Sequence, residues 1–315
     1  MLHRLVLIGK SLQDSHKSAL LLALTGFALL SVGDALVKGM AGLWPGTAIG
    51  ALRYLFGAIG LGVALLLREG LAGFTFGKLP WQILRGFSVA LSAVTFFTAV
   101  HLMSMGEATA IGFTSPMITA LLAAILLKEP LRRTTWIASG VAFAGVLLIL
   151  RPNFALLGPA ALLPMASATG MALLIIANRK VAGTGSALSM QFNVAFIGTI
   201  FLLVTAFAGH FSGLAFFAIP VPPPSVIARC AIIAVSASTA HALIYMATTR
   251  AGASTIAPMT YVQLLMAGGF GWALFDERPD AMAALGAVVI VGAGLYLWRA
   301  GRAPATTDGN ATTPT

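Results

Sequence analysis

The chain has 315 residues, of which 58% are hydrophobic and only 9% are charged, and its formal net charge is +10. An ordinary soluble domain has about 25% charged residues, so a chain this apolar could not cover its own surface in water. The composition therefore excludes a soluble globular domain and predicts an integral membrane protein.

Ten apolar blocks follow one another along the chain, and a helix needs about 20 apolar residues to cross a bilayer. The blocks lie at 18–38, 45–67, 81–103, 106–127, 134–150, 156–177, 187–209, 225–247, 252–274 and 281–298. No stretch shows the alternating apolar and polar residues of a membrane β-barrel. The sequence predicts an all-α integral membrane protein with ten transmembrane helices, a cytoplasmic segment at 1–17 and a disordered cytoplasmic tail at 301–315.

The basic residues are distributed unevenly between the loops of this predicted bundle. The loops on one side hold only Lys38, Arg151 and Arg278, whereas most other Lys and Arg residues fall on the opposite side. Cytoplasmic loops carry such an excess of Lys and Arg. The pattern predicts a multi-pass protein of the inner (plasma) membrane with both termini in the cytoplasm. It also explains the net charge without a nucleic-acid partner.

The two halves of the chain contain the same motifs in the same order. The first half reads RGFSVALSA at 85–93, MGEATAIGFTSP at 105–116 and LKEP at 127–130. The second reads RCAIIAVSA at 229–237, AGASTIAP at 251–258 and FDERP at 275–279. We interpret this as a duplication, with repeats at 18–152 and 153–300. Because five helices is an odd number, the second repeat must be inverted in the membrane, which is a construction typical of secondary transporters.

These motifs, with the early Arg53-Tyr-Leu-Phe and the stretch LLKEPLRRTTWIASGVAFAGVLLILRP at 126–152, resemble the EamA-type members of the drug/metabolite transporter superfamily. The likeness covers nearly the whole chain. It implies a ten-helix basket with a substrate chamber between the repeats, and secondary transport of metabolites without ATP, more often outward than inward. One departure is that the second repeat has Leu264 where the first has Pro116.

Polar side chains inside the apolar spans are the candidates for lining such a chamber, because a polar group that faces lipid is costly. They are Ser92 and Thr95 in the third span, Ser115 and Thr119 in the fourth, Ser238, His241 and Tyr245 in the eighth, and Thr260, Tyr261 and Gln263 in the ninth. These spans correspond between the repeats. The alternative is that each hydroxyl bonds a helix carbonyl and each tyrosine packs or anchors at the interface.

Charged groups within the spans are few. Arg53 lies about two turns into the second span and is the candidate for binding an anionic group such as a carboxylate. The alternative is a salt bridge to Asp34, which could also pair with Lys38 one turn later. Arg85 and Arg229 begin their spans, where their side chains could reach the membrane surface.

Proton coupling would need a titratable group in the transport path, and the chain offers few. His241 and Asp34 are the candidates, since histidine titrates near neutral pH and no span carries an unpaired carboxylate at mid-depth. This favours facilitated diffusion or weak coupling. Glu107 lies in the first turn of its span, where the helix dipole favours a carboxylate.

The sequence gives no sign of an enzyme. It lacks a phosphate-binding loop, HExxH and GxSxG, and Cys230 is its single cysteine. We expect no cofactor and no metal. The expected partners are the bilayer and a small-molecule substrate, in a monomer or homodimer.

The predicted function is export of an amino-acid-like or vitamin-like metabolite by alternating access. One alternative, implied by the resemblance alone, is an uptake carrier for riboflavin or S-adenosylmethionine. Another is a membrane scaffold or sensor subunit that transports nothing.

Overall fold

The computed structural model describes residues 2–128, 133–251, 257–278 and 280–302. Throughout these ranges the regular structure is helical and there is no strand. The α-helices are α1 Leu2–Lys38, α2 Gly46–Glu69, α3 Leu79–Leu102, α4 Met105–Gly112, α5 Ser115–Leu127, α6 Arg133–Leu157, α7 Leu163–Val181, α8 Ala187–Phe211, α9 Pro224–Ala251, α10 Val262–Phe275 and α11 Ala281–Arg302.

The apolar blocks form the predicted spans. Within the described ranges, nine segments are long and apolar enough to cross a membrane, and a shorter apolar helical segment at Met259–Phe275 occupies the position of the ninth predicted span. Large apolar side chains cover the outside of the bundle, for example Leu67 and Leu156. An all-α integral membrane fold is therefore confirmed.

The fourth span differs from the single helix predicted at 106–127. It consists of α4 and α5, with a break at Phe113 and Thr114. Pro116 has no N–H to donate to the Gly112 carbonyl, and the N–H of Met117 reaches the Thr114 carbonyl instead. At the start of α4, the Ser104 hydroxyl caps the helix by accepting from the Glu107 N–H (3.2 Å).

The ninth span is interrupted at the corresponding position of the second repeat. A 3₁₀ turn at Ala257–Tyr261 precedes α10, while residues 252–256 of the predicted span lie outside the described ranges. The sixth span also begins later than predicted. Helix α6 continues to Leu157, and α7 starts at Leu163 after a 3₁₀ turn.

Helix packing follows the symmetry of two inverted repeats. Helix α1 packs along α9, and α3 packs along α7. In the two repeats, α1 corresponds to α7 and α3 corresponds to α9. If each helix is replaced by its equivalent, the contact between α1 and α9 therefore becomes the contact between α7 and α3. Two further contacts, α2 with α8 and α6 with α11, are each converted into themselves. The packing therefore supports a pseudo-twofold arrangement of five-helix units.

One end of the bundle is held by Lys38, and we call it the Lys38 face. The ammonium group of Lys38 donates to the carbonyl oxygens of Val100 (2.8 Å) and Met103 (2.7 Å) and forms an ion pair with Glu277. The Glu277 carboxylate also accepts from the Met105 N–H (2.9 Å). The ends of α1 and α3 and the start of α4 meet Glu277 here, two residues after the end of α10. Lys38 of the first repeat thus pairs with a residue of the second repeat.

The opposite end, the Arg85 face, corrects a prediction. Arg85 does not extend to the membrane surface but is buried, with 5% of its surface exposed. Its guanidinium donates to the side-chain oxygens of Asn178 (2.6 Å) and Gln82 and to the Met190 carbonyl (3.2 Å). Three polar partners from three helices compensate for the burial of this charge.

Arg229, the equivalent of Arg85 in the second repeat, lies at the Lys38 face. Its guanidinium donates to the Gly39 carbonyl at 2.8 Å and so connects the start of α9 to the end of α1. The indole N–H of Trp44 donates to the Pro220 carbonyl (2.9 Å) at the same end. Because the starts of both α2 and α9 lie at the Lys38 face, these two helices run in the same direction.

Candidate functional site

Arg53 lies close to two aromatic rings inside the bundle. Its guanidinium carbon lies 4.7 Å from the centroid of the Phe97 ring of α3 and 5.2 Å from that of Tyr54. The side chain is half-buried. A ring contacts the flat face of a guanidinium, whereas hydrogen bonds leave from its edge. The Tyr54 side chain also hydrogen-bonds to the guanidinium, which has further N–H groups that can donate.

Two other predicted residues share the electrostatic environment of Arg53. Asp34 on α1 and His241 on α9 both lie within electrostatic range of its guanidinium. Among the described residues, Arg53 forms no direct ion pair with Asp34 or any other carboxylate. Asp34 is half-buried and His241 is exposed. Asp34 of α1 and His241 of α9 are therefore both influenced by the charge of Arg53 on α2.

A second group lies where the fourth and ninth spans are interrupted. Tyr261, the last residue of the 3₁₀ turn, lies against Phe113 at the break between α4 and α5, with ring centroids 5.2 Å apart. The carbonyl oxygen of Gln263 lies 3.5 Å from the Ser31 hydroxyl of α1, one turn before Asp34. Thr260 is half-buried beside Tyr261. In transporters, interrupted helices at the repeat interface commonly form the substrate site.

Three of the predicted hydroxyl groups donate to their own helices. The donations to the carbonyl four residues earlier are Thr95 to Leu91 (2.7 Å), Thr119 to Ser115 (2.8 Å) and Ser238 to Ala234 (2.8 Å). Ser92 instead bonds Ser167 of α7 at 3.0 Å. A hydroxyl that donates in this way can still accept a hydrogen bond, so a chamber-lining role for these residues stays a prediction. Ser115 is half-buried, and the side chain of Tyr245 lies outside the described part of the chain.

A cleft of about 360 Å³ lies between α2 and α9. We call it the α2/α9 cleft. Its lining is mostly small and apolar, and includes Gly57, Gly60 and Ala64 from α2 and Ala231, Ala234 and Ser238 from α9. Small residues on membrane helices usually allow close packing, but here the two helices leave a space between them.

Some partners in the site were not anticipated from the sequence. Phe97 contacts Arg53, and Ser167 bonds to Ser92. In each case the two residues belong to different spans, and no local sequence pattern connects them. Phe113 could have been found, because it occupies nearly the same repeat position as Tyr261. Within the described ranges, no three or more His, Cys, Asp or Glu side chains lie close enough together to hold a metal ion.

The EamA-like transporter family matches the chain at residues 17–151 and 158–298. The chain belongs to this family. Family membership, the apolar helices and the inverted packing together make it a multi-pass membrane transporter of a small metabolite. Transport in this family is not an enzymatic reaction.

Curated relatives of this EamA-like chain carry different transport activities. An S-adenosylmethionine uptake transporter of Rickettsia bellii is 27% identical over 216 residues, 69% of this chain and 71% of the relative. The corresponding protein of Rickettsia prowazekii is 23% identical over 85% of this chain and 87% of its own. A pseudopaline exporter of Pseudomonas aeruginosa is 25% identical over 91% of this chain and 98% of its own.

A solved crystal structure also matches, with a TM-score of 0.58 and 19% identity over 91% of this chain and 99% of the other. This similarity supports the fold. The named relatives include both an uptake carrier and an exporter, so they agree on transport and differ in direction and substrate.

Proposed function

We propose that the chain is a secondary transporter that exports a zwitterionic, amino-acid-like metabolite across the inner membrane, with both termini in the cytoplasm. The observation that carries the proposal is Arg53, a guanidinium that lies over the Phe97 ring and has no carboxylate partner among the described residues. A guanidinium edge matches a carboxylate in a two-point hydrogen-bonded contact. The substrate group at Arg53 is therefore a carboxylate.

The neighbouring Asp34 gives the site its second charge. It lies within electrostatic range of Arg53 but does not form an ion pair with it. A zwitterion can place its carboxylate at Arg53 and its ammonium group at Asp34, so that each buried charge gains a partner. A purely cationic substrate would leave Arg53 without an oppositely charged partner, and a purely anionic substrate would leave Asp34 without one.

For the direction of transport, we rely on the family and its relatives. The pseudopaline exporter aligns over 289 residues of its sequence, against 216 and 267 for the two uptake carriers described above. Uptake of S-adenosylmethionine is the second candidate. That molecule also carries an amino-acid carboxylate and ammonium group, so it would use the same two side chains.

Counterflow in proteoliposomes tests the binding proposal. Vesicles loaded with unlabelled substrate are supplied with labelled amino acids or S-adenosylmethionine. We expect Arg53→Gln to weaken apparent affinity by roughly 10- to 100-fold, as expected for hydrogen bonds to a charged group worth about 1.5–3 kcal/mol. Arg53→Lys keeps the positive charge but loses the planar guanidinium. Its apparent affinity should lie between those of the wild-type and Arg53→Gln proteins.

The matched control is Arg68→Gln, which removes an exposed arginine from the same helix. It should transport like the wild-type protein. Counterflow that survives Arg53→Gln unchanged would refute the carboxylate site. No counterflow of any compound in the panel by the wild-type protein would reject an amino-acid-like substrate.

We propose that transport is only weakly coupled to the proton gradient. His241 is the proposed proton-binding residue, and Asp34 is the alternative. His241→Gln keeps hydrogen bonding but cannot titrate, and Asp34→Asn does the same for the carboxylate. We expect a pH gradient to produce little accumulation, and His241→Gln to remove what there is. Strong accumulation that survives His241→Gln and disappears in Asp34→Asn would assign coupling to Asp34.

A further inference from the structure

We propose that the α2/α9 cleft binds the apolar part of the transported molecule, while Arg53 holds its carboxylate. This inference rests on the proposed function and narrows the substrate class to amphipathic, amino-acid-like molecules with an apolar side chain. It assigns a specificity-determining role to Gly57 and Gly60.

The cleft adjoins Arg53 along α2. On α2, Arg53, Gly57, Gly60 and Ala64 recur at helical spacing and occupy one face. The lining therefore extends about 6–16 Å along the helix axis from Arg53, at 1.5 Å per residue. A molecule whose carboxylate is bound at Arg53 has the cleft directly beside it.

On α9, Ala231, Ala234 and Ser238 also recur at helical spacing and line the cleft. Since α2 and α9 run in the same direction from the Lys38 face, the Ala231 end of this lining lies nearest to Arg53, and His241 lies beyond the other end.

The depth of Arg53 favours a small amphipathic molecule over a bilayer lipid. Arg53 lies seven residues after Gly46, about 10 Å along the axis from the start of α2. A lipid keeps its anionic headgroup at the membrane interface, so an acyl chain in the cleft would leave the guanidinium without its anion. The cleft volume of about 360 Å³ is within the range of small-molecule sites, about 300–1,000 Å³.

The glycines permit a direct test, because a Cβ atom added to Gly57 or Gly60 would have no neighbour within 4 Å. Gly60→Leu should therefore fill the cleft without disturbing the helix. The matched control is Gly292→Leu on α11, an exposed glycine at which an added Cβ is equally free of neighbours. If the Gly60→Leu protein is not recovered folded, Gly57→Leu takes its place.

The measurement is equilibrium binding of radiolabelled alanine, leucine and phenylalanine to the purified protein in detergent. These probes share their charges and differ only in apolar size. In the wild-type and Gly292→Leu proteins, phenylalanine should bind roughly 10- to 100-fold more tightly than alanine, with leucine between them, because the larger side chains bury more apolar surface. In the Gly60→Leu protein, the affinity for alanine should be unchanged, and the preference for phenylalanine over alanine should fall below roughly threefold.

Each other result is decisive. If Gly60→Leu retains the full preference for phenylalanine, the cleft does not bind the apolar part, as would hold if bilayer lipid alone occupied it. Equal binding of the three probes to the wild-type protein, with loss of binding in Arg53→Gln, would reject the inference and leave the proposed function intact. If no probe binds the wild-type protein, both are rejected.

Discussion

The ion pair between Lys38 and Glu277 allows a quantitative prediction about stability. Replacing Lys38 by methionine keeps an unbranched chain but removes the ammonium group. The carbonyl oxygens of Val100 and Met103 then lose a charged donor, and the Glu277 carboxylate loses its counter-charge. Removing one partner of a buried pair costs about 3–5 kcal/mol. The two side chains retain 11% and 17% of their exposure, so we expect about 3 kcal/mol.

Glu277→Gln should cost less, because the amide oxygen can still accept from the Met105 N–H and Lys38 keeps both carbonyl acceptors. We expect about 1–1.5 kcal/mol, comparable to one hydrogen bond. The double variant should cost about 3 kcal/mol in total, since it leaves no isolated charge. The two residues would then be coupled by at least about 1 kcal/mol.

Thermal unfolding of the purified protein in detergent measures these differences. At roughly 2 °C per kcal/mol for a chain of this size, Lys38→Met should lower the melting temperature by about 6 °C. Arg278→Met is the control, because Arg278 forms a nearby pair with Asp276 in which both side chains are largely exposed. It should cause no measurable shift. Strictly additive effects of the Lys38 and Glu277 substitutions would refute the reasoning.

Three further predictions concern other parts of the bundle. Arg85→Lys should destabilise the protein by about 2 kcal/mol in the same melting assay, because one ammonium group cannot reach Gln82, Asn178 and the Met190 carbonyl together; an unchanged melting temperature would contradict this. Gly86→Ala should cost about 1–3 kcal/mol through overpacking, since its Cβ would lie 2.4 Å from an Ile197 methyl group, whereas Gly57→Ala meets no neighbour and should be neutral. Single cysteines introduced as Ala182→Cys or Ser212→Cys in a Cys230→Ala background test the orientation. An impermeant reagent added to intact cells should label only the second, and the opposite pattern would invert the topology.

The spans were predictable from the sequence because a bilayer imposes a length on every apolar helix. The inverted repeat was predictable because motifs around Arg85 and Arg229 recur in order. The break at Phe113 had only Pro116 as a local signal, and proline is compatible with either a kink or an interruption. Its significance depends on the contact with Tyr261 from the other repeat.

The environment of individual side chains was less predictable. Arg85 was expected at the membrane surface, since a basic residue at the start of a span commonly extends there. Its burial depends on Asn178 and Met190, which are distant in sequence. Arg53 lies within the second span, as the sequence predicts, but the Phe97 ring against its guanidinium comes from another helix. Pairing across a fold leaves no periodic pattern in one sequence.

The contact between Phe113 and Tyr261 has a mechanical consequence. A helix bends most easily where its hydrogen-bond ladder is already interrupted, and both the fourth and ninth spans are interrupted at this contact. Rotation of either span about this point breaks few additional backbone hydrogen bonds. Because the two rings lie against each other, the place where each span bends most easily is also a point of contact between the two repeats.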